Sequence, residues 1–257
     1  MNTTPMKLLC AILLLAGATS ARADSSLGIF TDHGDVGKVS RSGTALFDPA
    51  AGTYTVGAAG ANMWFKADAM QFIWKKVSGD VSISADIAFF GTSSQPHRKA
   101  CLVIRQDLSE GSAYVDVARH GDGLTSLQFR SEKGGITKEI QSMVSSPSRV
   151  RLDKIGNTVY LSVASSTEEP HPSGASVQVA LKSPYYIGLA VSAHDDEAFE
   201  TAIFSNVKIG NASDMAAVQQ PKLHVITLPS GPARDGQLSP SLGGRRIILF
   251  ARGTRRG

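Results

Sequence analysis

Apolar and polar residues alternate through most of this chain, and that alternation limits its fold more than any other feature. In VSISADIAFF, residues 81–90, an apolar side chain occupies every second position from Val81 to Phe89, and the positions between these are Ser, Asp and Ala. The same period of two recurs in TVYLSVAS (158–165) and YYIGLAVS (185–192). This period places the apolar side chains on one face of a β-strand. Residues 72–209 are therefore predicted to form successive strands, each with a buried face.

Turn signals separate these runs and point to an antiparallel arrangement. Gly121-Asp122-Gly123 and Lys154–Thr158 both have the composition of tight hairpins. Helical spacing is absent from residues 24–209 except in GANMWFKADAM (60–70), where one helical turn is expected. Short antiparallel strands at regular spacing favour a two-sheet sandwich. About a dozen strands in residues 24–209 favour an all-β jelly roll over an immunoglobulin-sized domain.

The N-terminus has the features of a secretory signal peptide. LLCAILLLAG is apolar but too short to span a bilayer, and Ala21-Arg22-Ala23 fits the small-x-small cleavage pattern. We expect residues 1–23 to be removed, leaving no transmembrane span and a periplasmic or secreted protein. An uncleaved N-terminal anchor is the alternative.

Charge is distributed unevenly along the chain. Residues 1–23 contain two cations and no acid, and residues 210–257 contain seven cations and two acids. Because the whole chain has a net charge of +4, residues 24–209 carry −3. Such a domain lacks the basic face that nucleic-acid binding requires. One cysteine, Cys101, remains after cleavage and is predicted to be a buried apolar side chain.

Four stretches resemble concanavalin A-like lectin/glucanase domains. They are YYIGLAVSAHDDEAFETAIFSNVKI, GANMWFKADAMQFIWKKVSGDVSISADIAF, PHRKACLVIRQDLSEGSAYVDVARHGDGLTSLQFR and RVRLDKIGNTVYLSVAS. The resemblance covers residues 28–209 and implies a jelly-roll sandwich of two antiparallel sheets over residues 24–209.

Residues 210–257 are similar to part of a TolB-type β-propeller. ARDGQLSPSLGGRRIILFARG resembles a propeller blade, but Leu242-Gly243 replaces the usual Pro-Asp and the aromatic residue is missing. Sandwich domains of this kind precede TolB-type propellers in exported bacterial proteins. The resemblance implies that residues 210–257 form a linker and a truncated, propeller-like basic tail.

His194-Asp195-Asp196-Glu197 is the most polar stretch between two predicted strands. Asp195 and Asp196 could bind calcium, which prefers carboxylate and backbone oxygens. His194 could contact a ligand. A solvated turn is the competing interpretation, because zinc would need further ligands and the other histidines are scattered along the sequence. No cofactor is predicted beyond this possible structural calcium.

Hydrolysis of a glycosidic bond requires two carboxylates that flank the bond. Glucanases of this superfamily place theirs on one strand as Glu-x-Asp-x-x-Glu, and this sequence contains no Glu-x-Asp. Single acids on separate strands, such as Asp86, Asp116, Glu139 and Asp153, could still converge from adjacent strands. A catalytic role is therefore disfavoured but stays an alternative.

A polar strip is predicted on the concave sheet of the sandwich. Period two places Tyr114 and Asp116 on the face opposite Val115 and Val117, and further polar residues lie in similar positions. Stacking on tryptophan rings together with polar side chains suits a carbohydrate. The predicted ligand-binding residues are Trp64, Trp74, Arg105, Tyr114, Asp116, Gln128, Arg130 and His194. A structural ion-pair network with both tryptophans in the core is the competing interpretation.

These features predict a non-catalytic binding module for carbohydrate or another cell-envelope ligand. The alternatives are a glycoside hydrolase-like enzyme and a protein-interaction domain of a truncated TolB-like protein. The sequence does not indicate an oligomeric state.

Overall fold

A computed structural model describes residues 26–93, 95–165 and 168–212 of the 257-residue chain. These residues form 16 β-strands, and no helix occurs among them. Two antiparallel sheets of seven strands each contain all but two of the strands, and the other two form a short hairpin. This is the predicted jelly-roll sandwich of two antiparallel sheets.

The first sheet pairs strands that are distant in sequence. In spatial order it contains β1 (Asp32–Val36), β6 (Met70–Val77), β15 (Tyr185–Ser192), β8 (Lys99–Arg105), β9 (Tyr114–His120), β10 (Thr125–Arg130) and β11 (Lys138–Gln141). The central position of β15, between β6 and β8, ties the C-terminal part of the domain to its N-terminal part.

The second sheet has the same number of strands. In spatial order it contains β14 (His171–Gln178), β13 (Thr158–Ala164), β12 (Arg149–Ile155), β7 (Val81–Phe90), β16 (Glu200–Gly210), β3 (Thr53–Ala58) and β2 (Thr44–Asp48). Strand β16 shifts register between Ser205 and Lys208, which marks a β-bulge.

The main hydrophobic core lies between the two sheets. The first sheet contributes residues such as Leu102, Val115 and Ile187, and the second contributes Ile83 and Leu152. These are apolar positions of the predicted strands, so the prediction that each strand has a buried face is confirmed. Burying a Leu or Ile side chain contributes about 1.5–3 kcal/mol, so this core is the main stabilising element.

A second, smaller hydrophobic cluster lies on the outer face of the first sheet. It contains Val36, Met63, Met70, Phe72, Cys101, Val103, Ala118 and Ala190. Met63 belongs to a short segment, residues 59–69, that crosses this face and that we call the cap hairpin. It contains β4 (Met63–Trp64) and β5 (Ala67–Asp68).

The cap hairpin replaces the helical turn expected in residues 60–70. Met63 pairs with Asp68 and Trp64 pairs with Ala67, in antiparallel register. Phe65, in the turn, has a φ of +48°, which reverses the chain and is incompatible with a right-handed helix. The expectation of a helical turn is therefore wrong, because strand pairing overrides the local helix propensity.

The two ends of the chain lie largely outside the residues that the structure describes. The predicted signal peptide and almost all of the predicted propeller-like tail lie outside the described residues. Within the described ranges, no helix is long and apolar enough to span a membrane.

Candidate functional site on the outer face of the first sheet

Strand register arranges the outer-face side chains of the first sheet in rows. One row contains Trp74, Gly188, Val103, Asp116 and Gln128, from β6 to β10. The adjacent row passes through Tyr186, Arg105, Tyr114 and Arg130. The structure therefore brings five of the predicted ligand-binding residues together: Arg105, Tyr114, Asp116, Gln128 and Arg130.

The cap hairpin covers this cluster through Asp68. The Asp68 carboxylate accepts hydrogen bonds from Arg130 Nη2 at 2.8 Å and Arg130 Nη1 at 3.0 Å, and from Arg105 Nη2 at 3.4 Å. Arg130 also donates to the Phe65 carbonyl at 3.3 Å. All three charged side chains have 0% exposure. Two arginines of the sheet therefore fasten the hairpin over the outer face.

The ionisation of Asp68 reflects two opposing effects. Burial raises the pKa of Asp68, and the hydrogen bonds and charges of Arg130 and Arg105 oppose that rise. The ionised carboxylate is the form that accepts all three arginine hydrogen bonds. Tyr114 lies under Arg130, whose guanidinium carbon is 5.0 Å from the ring centre, and burial raises the Tyr114 pKa well above its usual value.

In the described structure these predicted residues form an internal network. Arg105, Tyr114, Asp116 and Arg130 have 0% exposure and Gln128 has 1%. The arrangement is a structural ion-pair network, as in the competing interpretation, but its carboxylate is Asp68 and not Asp116. A ligand could contact these side chains only if the cap hairpin moved.

A second buried polar group lies beside this network. Lys99 Nζ donates to the Met63 carbonyl at 3.0 Å and to Gln128 Oε1 at 3.1 Å. Asp116 is fully buried, and neither of its oxygens has a hydrogen-bond partner of normal geometry. Burial raises the pKa of Asp116 to about 8, although the Lys99 charge opposes the rise. At neutral pH Asp116 is therefore mainly protonated.

Two aromatic side chains remain half-exposed on the same face, next to the covered cluster. Trp74 of β6 and Tyr186 of β15 lie edge to face, with ring centres 6.3 Å apart. Phe72 stacks on Trp74 at 5.4 Å and supports it from within the sheet. We call Trp74 and Tyr186 the aromatic platform. It is flanked by the exposed Asp32, which pairs with Trp74 across the strands, and by the exposed Lys76.

Trp64 lies on the cap hairpin and is also half-exposed. Lys99 Nζ is 5.2 Å from the centre of its ring, which is within the range of a cation–π contact. The Trp64 ring therefore packs over the buried lysine. Neither predicted tryptophan belongs to the core between the sheets.

The His194-Asp195-Asp196-Glu197 stretch forms the loop between β15 and β16. Asp195 Oδ1 accepts a hydrogen bond from the Glu197 N–H at 2.9 Å, and the Asp196 carbonyl accepts one from the Ser40 hydroxyl. His194 adopts a φ of +60°, and its Nδ1 is buried without a hydrogen-bond partner.

His194 has histidine neighbours in space, although the histidines are scattered along the sequence. The His97 ring is 5.2 Å from the His194 ring and 6.2 Å from the His120 ring. Burial and nearby positive charge lower the pKa of His194, and burial lowers that of His120 to about 4. Within the described part of the chain, no group of three or more His, Cys, Asp or Glu could hold a metal ion. Calcium at Asp195 and Asp196 stays a prediction.

Sequence reasoning missed three residues of this face, for different reasons. Asp68 occupies a two-residue strand with no periodic signal, and Lys99 begins a strand whose central residues are all apolar. Tyr186 carried a usable signal, since period two in YYIGLAVS places it opposite the core residues Ile187 and Leu189.

Comparison with known proteins gives structural similarity and no sequence relative. No family model matches the chain, and no curated protein matches it. A functionally unknown protein from Saccharomyces cerevisiae has a TM-score of 0.52 and 13% identity, covering 66% of this chain and 96% of that one. This similarity concerns the fold alone.

Two further solved structures are more distant. Alginate lyase A1-II', a member of polysaccharide lyase family 7, has a TM-score of 0.41 and 10% identity over 65% of this chain and 82% of its own. The carbohydrate recognition domain of Emp47p also has a TM-score of 0.41 and 10% identity, over 70% of this chain and 87% of its own.

Proposed function

We propose that the domain is a non-catalytic binding module for carbohydrate, with the aromatic platform as its contact surface. The observation that carries the proposal is the pair of half-exposed rings, Trp74 and Tyr186, on neighbouring strands of the outer face. The apolar face of a sugar ring packs against an aromatic ring, and its hydroxyls need donors and acceptors nearby. Lys76 supplies hydrogen-bond donors, and Asp32 supplies acceptors.

The platform is preorganised for such a contact. Both rings project from interior strands of the sheet, β6 and β15, and Phe72 stacks on Trp74. Lys76 Nζ lies 5.3 Å from the centre of the Tyr186 ring. Binding therefore requires little ordering of side chains, which lowers its entropic cost.

Binding to a panel of soluble polysaccharides tests the proposal. Trp74→Ala should weaken binding by about 30-fold, since a central aromatic contact contributes about 2 kcal/mol. Tyr186→Ala should weaken polysaccharide binding as well. This second variant keeps the test decisive if Trp74→Ala fails to fold. Phe90→Ala is the matched control, because Phe90 is a 65% exposed aromatic on the second sheet. Equal binding by all three variants would refute the proposal.

One observation favours the enzyme alternative. Asp116 and Glu139 lie in the same row on either side of Gln128, and a carboxyl group with a pKa of about 8 can act as a general acid. Asp116 is covered by the hairpin, whereas Glu139 is half-exposed. Turnover of any polysaccharide that is abolished by Glu139→Gln and by Asp116→Asn would establish this alternative in place of simple binding.

We propose in addition that the protein is exported, with a mature chain beginning at Asp24. The support is the apolar run and the Ala21-Arg22-Ala23 site described above. Mass spectrometry of the protein from the periplasm or medium should give an N-terminus at Asp24, and an intact N-terminus at Met1 would contradict export by this route.

The cell-envelope ligand and the TolB-like context also remain proposals. Their support is the predicted export and the resemblance of residues 233–253 to a propeller blade, and these residues lie outside the described ranges. Deletion of residues 213–257 should change the set of captured envelope proteins if this tail completes a partner's sheet. An unchanged set would exclude that role.

A further inference from the structure

A groove of about 670 Å³ is lined by residues of β7, β12 and β16 in the second sheet and by Lys75 of β6 in the first, and it includes neither residue of the aromatic platform. This volume is within the range of small-molecule sites. Four cationic side chains line the groove: Lys75, Arg149, Arg151 and Lys208. Strand register places Arg151 and Lys208 on either side of Ser84, so that two cations flank a hydroxyl across three neighbouring strands.

Carboxylates hold both arginines in fixed orientations. Arg149 donates through Nε at 2.5 Å and Nη2 at 2.9 Å to Asp86. Arg151 donates through Nε at 2.9 Å and Nη2 at 2.6 Å to Asp153. The hydrogen bonds among the described residues use Nη1 of neither arginine. Each guanidinium group therefore keeps donors available for a ligand while its plane is fixed.

The β-bulge in β16 completes the floor of the groove. It places Asn206 at a φ of +51°, and the Asn206 amide donates to Asp86 Oδ2 at 2.6 Å. Bulges commonly redirect a side chain beside a functional site. Here the bulge adds a third hydrogen bond to Asp86, which strengthens the support of Arg149.

The groove contains two further cations, Lys75 and Lys208. Within residues 26–93, 95–165 and 168–212, neither Lys75 nor Lys208 forms an ion pair. Lys208 is exposed and Lys75 half-exposed. The carboxylates of Asp86, Asp153 and Glu169 balance three of the four cations around the groove. The groove therefore has a positive excess, although the charge of Lys208 also acts on Asp86.

We infer that this groove binds an oxyanion, a carboxylate, sulfate or phosphate group, carried on a small ligand. Planar guanidinium groups with fixed orientation match the geometry of oxyanions, and the two lysines add positive charge to the groove. Ile29, which is 40% exposed, also lines the groove and offers apolar contact to the ligand's remaining part.

A titration of the ¹⁵N-labelled full-length protein tests the inference. The probes are D-glucuronate, inorganic sulfate and inorganic phosphate, which distinguish the three oxyanions, and D-glucose is the neutral match. We expect at least one anion to shift the amide signals of Ser84 and Asn206 and the Nε–H signals of Arg149 and Arg151, in a saturable and salt-sensitive manner. D-glucose should leave these signals unchanged.

Substitutions distinguish anion binding in the groove from a general effect of surface charge. The double variant Lys75→Gln, Lys208→Gln should raise the dissociation constant by about tenfold, because it removes both lysine charges from the groove. Lys138→Gln, at an exposed lysine on β11, is the control and should have no effect. Trp74→Ala should leave anion binding intact even if it abolishes carbohydrate binding.

Three results would overturn the inference. The first is that no anion shifts the groove signals, and the second is that D-glucose shifts them equally. The third is that the double lysine variant binds as tightly as the Lys138→Gln control.

Discussion

The attachment of the cap hairpin by Asp68 leads to a quantitative prediction about stability. Asp68→Asn keeps the size of the side chain but removes the charge that faces Arg130 at 2.8 Å and Arg105 at 3.4 Å. All three side chains have 0% exposure, so solvent cannot compensate the two guanidinium charges. Removing one partner of a buried ion pair costs about 3–5 kcal/mol.

That cost corresponds to a large change in thermal unfolding. For a domain of this size, 1 kcal/mol lowers Tm by about 2–4 °C. Asp68→Asn should therefore lower Tm by about 6–20 °C at pH 7, measured by circular dichroism on the full-length protein. Hydrogen exchange should also show lost protection in residues 59–69, since the hairpin loses its attachment to the sheet.

A surface ion pair supplies the matched control. Lys133 pairs with Asp107 at 3.3 Å, but the two side chains are 66% and 40% exposed. Lys133→Gln should cost less than about 1 kcal/mol, because water screens such a pair. If Asp68→Asn were as mild as Lys133→Gln, the hairpin would not be held by this cluster and the reasoning would be refuted.

Three further predictions concern the same sheet. Burial raises the pKa of Asp116 to about 8, so the folded state keeps a proton that the unfolded state releases near pH 4, and stability falls as pH rises from 4 to 8. Asp116→Asn should therefore raise Tm at pH 8 and change it little at pH 4. Equal effects at both pH values would contradict this. A Cβ at Gly188 would lie 1.8 Å from the Ile73 carbonyl oxygen, whereas one at Gly210 would meet nothing within 4 Å. Gly188→Ala should therefore lower the urea midpoint of unfolding far more than Gly210→Ala. Similar midpoints would show that β6 and β15 can separate at no cost. Cys101 has 0% exposure, and burial raises its thiol pKa well above the usual value. A thiol reagent should therefore label Cys101 only after denaturation. Rapid labelling of the native protein would disprove its burial.

Period two in the sequence was sufficient to predict strands and their faces. The predicted strand at residues 81–90 is β7, with the same limits, and Ile83, Ala85 and Ile87 lie in the core. The same parity placed Tyr114 and Asp116 on the outer face, and the structure brings them beside Gln128. Local alternation therefore specified the face of each strand, whereas the grouping of the polar strip depends on the pairing of β8, β9 and β10.

Accessibility could not be predicted in this way, because it depends on a segment distant in sequence. The cap hairpin covers Arg105 and Arg130 through Asp68, about 37 and 62 positions away along the chain. Its strands have two residues each, too few to show a period. The proximity of His97 to His194 has the same origin, since strand order and not sequence spacing brings the two rings within 5.2 Å.

Fluorescence of Trp74 tests the central claim, that the aromatic platform binds carbohydrate without turnover, most directly. The chain contains two tryptophans, so Trp64→Phe leaves Trp74 as the single emitter. Titration with a soluble polysaccharide should produce a saturable change in its emission, while the polysaccharide is recovered at its original length. An unchanged emission across a broad panel would contradict binding at the platform, and shortened chains would show that the protein is an enzyme.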